Sequence, residues 1–135
     1  MQTFLPYPDF HESAKVLDVK RLGKQRVETL QILKGSWPNH PASRMWRGHM
    51  RALAEYGVAI CDVWRSRGYR DTCREKILEL AKNYPESENT LPSWVGDEEF
   101  HLSHQSNLLR KSEEHYRKYF PDVPPDLPYI WPTKR

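Results

Sequence analysis

The chain has 135 residues, of which 38% are hydrophobic and 29% charged, a composition typical of a soluble globular protein with one core. No apolar run approaches the ~20 residues of a membrane span, and the N-terminus lacks a signal-peptide pattern, so we expect no membrane partner. The net charge is +3, but residues 1–85 carry 15 Lys or Arg against 9 Asp or Glu. This surplus makes nucleic acid a candidate partner, but on charge alone a solvated surface with a chance surplus is the commoner explanation.

The cysteine content places the protein in a reducing compartment. Cys61 and Cys73 are the only two cysteines, and they do not form a CxxC motif. We therefore expect a cytoplasmic protein without disulfides.

The first predicted elements are an extended arm and a long helix. Residues 1–8 contain two prolines and are predicted to be extended. Asp9 and Glu12 form a D-x-x-E capping box, which predicts a helix from there to about Lys34.

A second helix is predicted to start near Pro41, with Asn39 or His40 as its N-cap. Apolar and aromatic residues then recur every three or four positions from Trp46 to Val63, and Gly68 follows. This spacing predicts one long helix that contacts the core along one face.

The remaining chain is also predicted to be helical or irregular. Thr72 and Glu75 form a second capping box ahead of a third helix. Residues 85–92 are predicted to be a loop, residues 101–120 one or two short helices, and the proline-rich tail from residue 121 an irregular coil. The prediction is an all-α fold, a compact single-domain helical bundle over residues 1–135.

Polar residues lie unusually close to the apolar stripe of the first helix. Arg21, Gln25 and Glu28 recur at helical spacing, and Arg26 flanks them. This grouping suits a site that binds a charged ligand. The structural alternative is a partly buried salt bridge between Glu28 and either Arg21 or Lys24.

A second polar cluster surrounds the predicted start of the second helix. Helix N-termini attract phosphate, and arginines bind its oxygens in pairs. The alternative is a solvated helix end, with His49 buried in the core. The candidate phosphate-binding residues are His40, Arg44, Arg47 and His49.

A pair of histidines and a pair of aromatic residues in the tail are further candidates for ligand binding. His101 and His104 are spaced to share a helix face, but no other Cys or His completes a zinc site, so we expect no metal and assign them to capping or nucleic-acid contact. Tyr129 and Trp131 lie in the tail, where aromatic rings are placed to stack on bases.

Taken together and in order, these motifs resemble the pyrimidine-dimer DNA glycosylase family, the phage-type endonuclease V. The resemblance covers most of the chain and depends on order and spacing. The matching elements are Leu22, Gln25, Arg26 and Glu28; Asn39-His40-Pro41; Gly48-His49; Arg67-Gly68-Tyr69; and the segment from His101 through Asn107 to Lys111, followed by Tyr116 and Tyr119.

The resemblance implies an all-α enzyme in which the α-amine of the first residue attacks the sugar C1′, with a glutamate assisting. Gln2 is too bulky for usual removal of the initiator residue, so the amine would be that of Met1. The carboxylate would be Glu28 or, alternatively, Asp18, with Arg26 beside it. The implied partner is double-stranded DNA, bound by a monomer without a cofactor and associated with the nucleoid. Its implied contacts are Arg21, Lys24, Gln25, His40, Arg44, Arg47, His49, His104 and Lys111.

The resemblance implies a DNA glycosylase that flips out and excises a damaged or modified pyrimidine, with strand cleavage as a further step. Two alternatives remain at this point. The enzyme would use activated water instead of the amine, or the protein would bind DNA without catalysis.

Overall fold

The structure, a computed structural model, describes residues 2–132, and in that range it is helical with no strand. This confirms the predicted all-α fold. No helix among the described residues has the length and apolarity needed to cross a bilayer. The α-helices are α1 (Phe10–Val16), α2 (Val19–Leu33), α3 (Pro41–Met45), α4 (Met50–Ser66), α5 (Cys73–Ala81), α6 (Glu98–Lys111) and α7 (Glu113–Tyr116), with a 3-10 turn at Glu86–Glu88.

Helix α4 is the centre of the core and packs against α1, α2 and α5. Its fully buried residues include Leu53, Tyr56 and Ile60. Gly57 permits the close approach of α2, because a Cβ there would lie 2.6 Å from the methyl carbon of Thr29. The helix that carries the polar stripe is therefore held directly against the core.

The predicted single helix over residues 9–34 is wrong, because the chain leaves helical geometry at Leu17 and Asp18. Tyr116 of α7 occupies the break. Its hydroxyl accepts the Asp18 backbone N–H at 2.9 Å and donates to the Asp18 carboxylate. Since Leu17 is fully buried at the same point, packing and hydrogen bonding both compensate for the interrupted helix. A separate helix, α2, therefore begins after the break, with Asp18 as its N-cap.

The long helix predicted to start near Pro41 is also interrupted. Gly48 has a φ of +85°, a left-handed conformation that glycine adopts without steric cost, and α4 begins only at Met50. The short α3 precedes the break and is capped by His40, whose Nδ1 accepts the Ala42 N–H at 3.0 Å. The prediction of His40 as the cap is confirmed.

One predicted capping residue is correct and the other is wrong. Asp9 accepts the Glu12 N–H at 2.9 Å and caps α1 as expected. Thr72 makes no side-chain cap bond at α5. Asp71 instead accepts the N–H groups of Cys73 at 3.0 Å and Arg74 at 2.9 Å. The two carboxylate oxygens of Asp71 each accept one free backbone N–H, whereas a threonine hydroxyl offers a single oxygen.

The proline-rich tail is irregular, as predicted, and is fastened to α6. Asn107 and Arg110 donate to the carbonyl oxygens of Leu127 and Pro125 at 3.2 and 2.7 Å. These bonds satisfy backbone acceptors that a coil leaves unpaired. The tail aromatics are thereby held at one end of the helical bundle.

Candidate active site

The N-terminal arm passes through the interior of the protein. Phe4 N–H donates to Gln25 Oε1 at 3.0 Å, and Leu5 N–H donates to His104 Nδ1 at 2.9 Å. Tyr56 donates from its hydroxyl to the Phe4 carbonyl at 2.7 Å. Helices α2, α4 and α6 thus each hold one part of the arm, and residues 2–5 are buried. The beginning of the chain is therefore fixed against α2.

Glu28 is the carboxylate that the arm reaches. Its Oε2 accepts the backbone N–H of Gln2 at 3.1 Å and the side-chain N–H of Gln25 at 3.2 Å. Glu28 takes part in no salt bridge between described residues. The predicted alternative, a salt bridge between Glu28 and Arg21 or Lys24, is therefore absent from residues 2–132. The other oxygen of Glu28, Oε1, has no hydrogen-bond partner in that range.

A cavity of about 270 Å³ opens beside Glu28. It is smaller than the pockets of ~300–1,000 Å³ that hold drug-sized ligands, and its size suits a fragment such as one nucleobase. Four cations and two aromatic rings border it, so it combines attraction for phosphate with flat apolar walls. Its lining residues are Gln2, Phe4, Lys20, Arg21, Lys24, Gln25, Glu28, Lys111 and Tyr129.

Asp18, the alternative carboxylate, is engaged elsewhere. It pairs with Arg21 at 3.1 Å and accepts the hydroxyl proton of Tyr116. Burial alone would raise the pKa of Asp18, but the Tyr116 hydrogen bond and the Arg21 charge outweigh it and lower the pKa. Asp18 is absent from the cavity lining, so Glu28 is the carboxylate at the cavity.

The Arg26 side chain does not lie with Glu28. It donates to Asp71 at 2.7 Å and covers the ring of Trp64, with its guanidinium carbon 4.3 Å from the ring centroid. The carboxylate of Asp71 is fully buried and also approaches Arg65 at 3.6 Å. Arg26 is absent from the cavity lining, so the expectation that it stands beside the catalytic carboxylate is corrected.

Comparison of the sequence with known proteins identifies its family. The family model for pyrimidine dimer DNA glycosylase matches residues 1–76, which is more than half of the chain. The chain belongs to the pyrimidine dimer DNA glycosylase family. No curated protein and no solved structure matches it. The family match includes the arm, Gln25 and Glu28, whereas Lys111 and Tyr129 lie beyond it.

In this family member, the residues around α3 do not line the cavity. Arg47 is exposed and donates to the Pro38 carbonyl at 2.9 Å, and His49 Nδ1 lies 2.8 Å from the Thr90 carbonyl. His40 lies nearer the cavity. Its ring centroid is 6.0 Å from that of Trp131, and the Trp131 ring is 5.4 Å from that of the cavity residue Tyr129. Burial lowers the pKa of His40, although the charge of Glu28 opposes this.

Arg44 and the remaining cations are partly or fully exposed. Arg44 is half-buried on α3, whereas Lys20, Lys24 and Lys111 are exposed at the cavity. Arg44 and Arg47 therefore stay predicted DNA contacts on the basis of charge alone. The lysines have both charge and a position at the cavity.

His104 is corrected from a DNA contact to a residue that holds the arm. It is fully buried, and burial lowers its pKa to about 3, so the ring is neutral. Because Nδ1 accepts the Leu5 N–H, the proton of the neutral ring is on Nε2. His101 also holds the arm, because its Nδ1 lies 2.8 Å from the Leu5 carbonyl oxygen. No group of three or more metal-binding side chains occurs among residues 2–132.

Three important residues escaped the sequence analysis. Gln2 reaches Glu28, Tyr56 joins the arm to Gln25, and Asp71 anchors Arg26. Tyr56 follows the apolar spacing of α4 and so resembles an ordinary core residue. The D-x-C-R order at Asp71 is a recognisable cap, but its partner Arg26 lies 45 positions away. Met1 lies outside the described residues.

Proposed function

We propose that this protein is a DNA glycosylase that releases a damaged or modified pyrimidine from double-stranded DNA. The observation that carries the proposal is the hydrogen bond from the Gln2 backbone N–H to Glu28. It brings the chain's first peptide bond to a carboxylate at the edge of a cation-lined cavity. Family membership supports DNA as the substrate.

The nucleophile in this proposal is the α-amine of Met1. Three covalent bonds separate that nitrogen from the Gln2 nitrogen, so covalent geometry limits their separation to about the length of one residue, ~3.6 Å. An α-amine has a pKa near 7.7–8.0, and an appreciable fraction is therefore unprotonated at neutral pH. The amine is thus a suitable nucleophile beside Glu28.

The reaction exchanges one bond at the sugar for another. The amine nitrogen bonds to C1′, and the C1′–N bond to the base breaks with its electron pair leaving on the base. Glu28 stabilises the positive charge that develops on the sugar and accepts a proton from the attacking amine. Glu28 then returns that proton to the ring oxygen O4′ as the C1′–O4′ bond breaks, which gives a protonated imine between the α-nitrogen and C1′ and leaves Glu28 ionised.

Strand cleavage is a further part of the proposal. The imine withdraws electrons, so a proton at C2′ becomes acidic, and its removal expels the 3′ phosphate by β-elimination. Glu28 is the nearest carboxylate to accept that proton. To bring C1′ to the site, the nucleotide leaves the base stack and enters the cavity, where Phe4 and Tyr129 provide flat surfaces.

The basic residues at the cavity supply DNA affinity. Lys20, Lys24 and Lys111 are exposed there and carry no ion pair among the described residues. Such lysines bind the phosphates on either side of an extruded nucleotide. The two rivals, a water-driven glycosylase and a DNA-binding protein without catalysis, share this affinity but not the amine.

Trapping with borohydride separates these mechanisms. Protein is incubated with a duplex that holds one abasic site, borohydride is added, and the adduct is mapped by mass spectrometry. We expect a covalent adduct on the Met1 amine, and none after selective acetylation of that amine. An adduct on a lysine, or full strand cleavage by acetylated protein, contradicts the amine mechanism. With a second duplex that still carries the damaged base, base release by a protein that forms no adduct would favour activated water, and binding alone would favour the non-catalytic protein.

A further inference from the structure

Gln2 has a side-chain donor without a partner in the described part of the chain. Its Oε1 accepts the Thr3 backbone N–H at 2.8 Å. This bond fixes the orientation of the amide, because only the oxygen can accept a proton there. The Nε2 group of the same amide is buried and has no hydrogen-bond partner among residues 2–132, and Gln2 is only 5% exposed.

A buried amide donor without an acceptor is costly, and native proteins seldom retain one. Gln2 lines the cavity beside Glu28, so a ligand in that cavity can supply the missing acceptor. Gln25, the neighbouring amide, is different: its oxygen accepts from Phe4 and Tyr56, and its nitrogen donates to Glu28. The Gln25 amide therefore uses its hydrogen bonds within the protein, whereas the Gln2 amide keeps a donor for a ligand.

The position of the unpaired donor indicates which ligand atom it meets. Under the proposed function, the sugar C1′ lies next to the amine that precedes Gln2. In a pyrimidine, the carbonyl oxygen O2 is attached beside the nitrogen that bonds to C1′. An acceptor, the exocyclic oxygen O2, therefore lies close to C1′ in every pyrimidine.

We propose that Gln2 Nε2 donates a hydrogen bond to the O2 oxygen of the pyrimidine that is being released, an inference that rests on the proposed function. When the bond from C1′ to the base breaks, its electron pair moves onto the base and is shared by the ring nitrogen and the carbonyl oxygens. The Gln2 donor stabilises that charge, and the base takes a proton from water after it departs. Gln2 thus acts on the leaving group, while Glu28 acts on the sugar.

The test uses a duplex in which one nucleotide is a cationic pyrrolidine that mimics the developing charge on the sugar. Its affinity for the full-length protein is measured by fluorescence anisotropy alone, with excess free thymine, and with excess 2-thiothymine, whose sulfur is a poor acceptor. We expect thymine to tighten binding roughly tenfold, the effect of one hydrogen bond of about 1.4 kcal/mol, and 2-thiothymine to have little effect.

Two variants locate that effect on Gln2. Gln2→Met keeps the size of the side chain and removes the donor, and Gln2→Glu also keeps the acceptor for Thr3. Both retain a large residue after Met1, so the N-terminus stays the same, which intact mass verifies. We expect both variants to lose the thymine effect. Gln105→Met is the matched control, because Gln105 donates to the Pro6 carbonyl at 2.8 Å outside the cavity lining and should keep it.

The outcomes separate this inference from the proposed function. If the wild-type protein prefers the pyrrolidine duplex to an undamaged one, but thymine has no effect or acts equally on Gln2→Met, only the role of Gln2 is overturned. If the wild-type protein shows no preference for the pyrrolidine duplex, the proposed function fails and the inference fails with it.

Discussion

At the scale of single residues, Glu28 owes its position to two neighbours from different parts of the chain. The Gln2 backbone and the Gln25 side chain both donate to its Oε2, and Tyr56 in turn donates to Gln25. A carboxylate held by N–H donors keeps one geometry while the charge next to it changes, as electrostatic catalysis requires. Its function is therefore separable from its contribution to folding.

Glu28→Gln tests that separation. The amide keeps the shape and one acceptor oxygen but loses the charge, so we expect base release to slow ~10²-fold or more with DNA affinity and unfolding free energy nearly unchanged. Single-turnover release and chemical denaturation measure the two effects. Asp18→Asn is the matched control and should leave the rate per folded molecule intact; a slower Asp18→Asn enzyme with normal Glu28→Gln would transfer the role to Asp18.

His104 predicts a dependence of stability on pH. Burial lowers its pKa from 6.5 to about 3, so below pH 6.5 the unfolded chain binds a proton that the folded chain does not. Unfolding free energy should therefore fall as pH decreases from 6.5, by up to about 1.4 kcal/mol per pH unit for this one proton. In His104→Gln, which can still accept the Leu5 N–H, urea denaturation between pH 7 and 5 should show a shallower slope. Equal slopes would contradict a neutral buried ring.

Residue positions within one helix were predictable, whereas their tertiary partners were not. Helical spacing correctly placed Arg21, Gln25 and Glu28 on one side of α2, since that needs only the period of the helix. The direction taken by Arg26 depends on Asp71, which reaches α2 only through the packing of α5. The arm's path likewise depends on histidines about 100 positions away.

At the scale of elements, α2 is fixed on both sides. One side holds the arm through Gln25, and the other holds the start of α5 through Arg26 and Asp71. Burial alone would raise the pKa of Asp71, but the hydrogen bonds from Arg26 and two backbone N–H groups lower it. Since Arg26 lies on the side away from the cavity, we propose that it supports the helix that carries Glu28.

Asp71→Asn examines this supporting role. It leaves the Arg26 guanidinium mostly buried without a countercharge, so we expect a loss of stability of about 2–4 kcal/mol. Base release per folded molecule should change little, measured at a temperature where the variant is folded. Asp62→Asn removes the more exposed pair with Arg74 and should cost at most about 1 kcal/mol. A large fall in the rate of base release without a loss of stability would contradict a supporting role and indicate that Arg26 and Asp71 take part in catalysis.

The errors in predicting helix boundaries have a common physical origin. Both interrupted helices continue an apolar spacing across the break, so periodicity alone joins them. The first break is stabilised by Tyr116 from the far end of the chain, which no local pattern reveals. The second has a local signal in Gly48, whose positive φ ends α3 before α4 begins.

At the scale of the whole molecule, charge is concentrated where the cavity opens. Two of the three exposed lysines at the cavity, Lys20 and Lys24, belong to the positively charged residues 1–85, and the third, Lys111, comes from the acidic part of the chain. The charge asymmetry was readable from sequence, but the contribution of Lys111 to the same surface required the fold. DNA is expected to bind across this opening.

The salt dependence of DNA affinity tests that placement. Each phosphate contact contributes about 0.9 to the slope of log affinity against log salt. Replacing Lys20, Lys24 and Lys111 together with alanine should flatten the slope by up to roughly 2.7, whereas Lys34, Lys76 and Lys82, exposed but absent from the cavity lining, should matter little. Arg44→Ala with Arg47→Ala is also expected to flatten it. Equal effects of the two lysine triples would contradict a DNA surface at the cavity.

The central claim is that Glu28 and the chain's first amine release a pyrimidine from DNA, and one measurement tests it most directly. A duplex with a single cyclobutane thymine dimer is incubated with excess protein, and cleavage of the glycosidic bond is quantified after alkaline treatment. We expect cleavage at the dimer by the wild-type protein, at least ~10²-fold slower cleavage by Glu28→Gln, and none in the undamaged duplex. Equal cleavage by the wild-type protein and Glu28→Gln, or binding of the dimer duplex with the bond left intact, would contradict it.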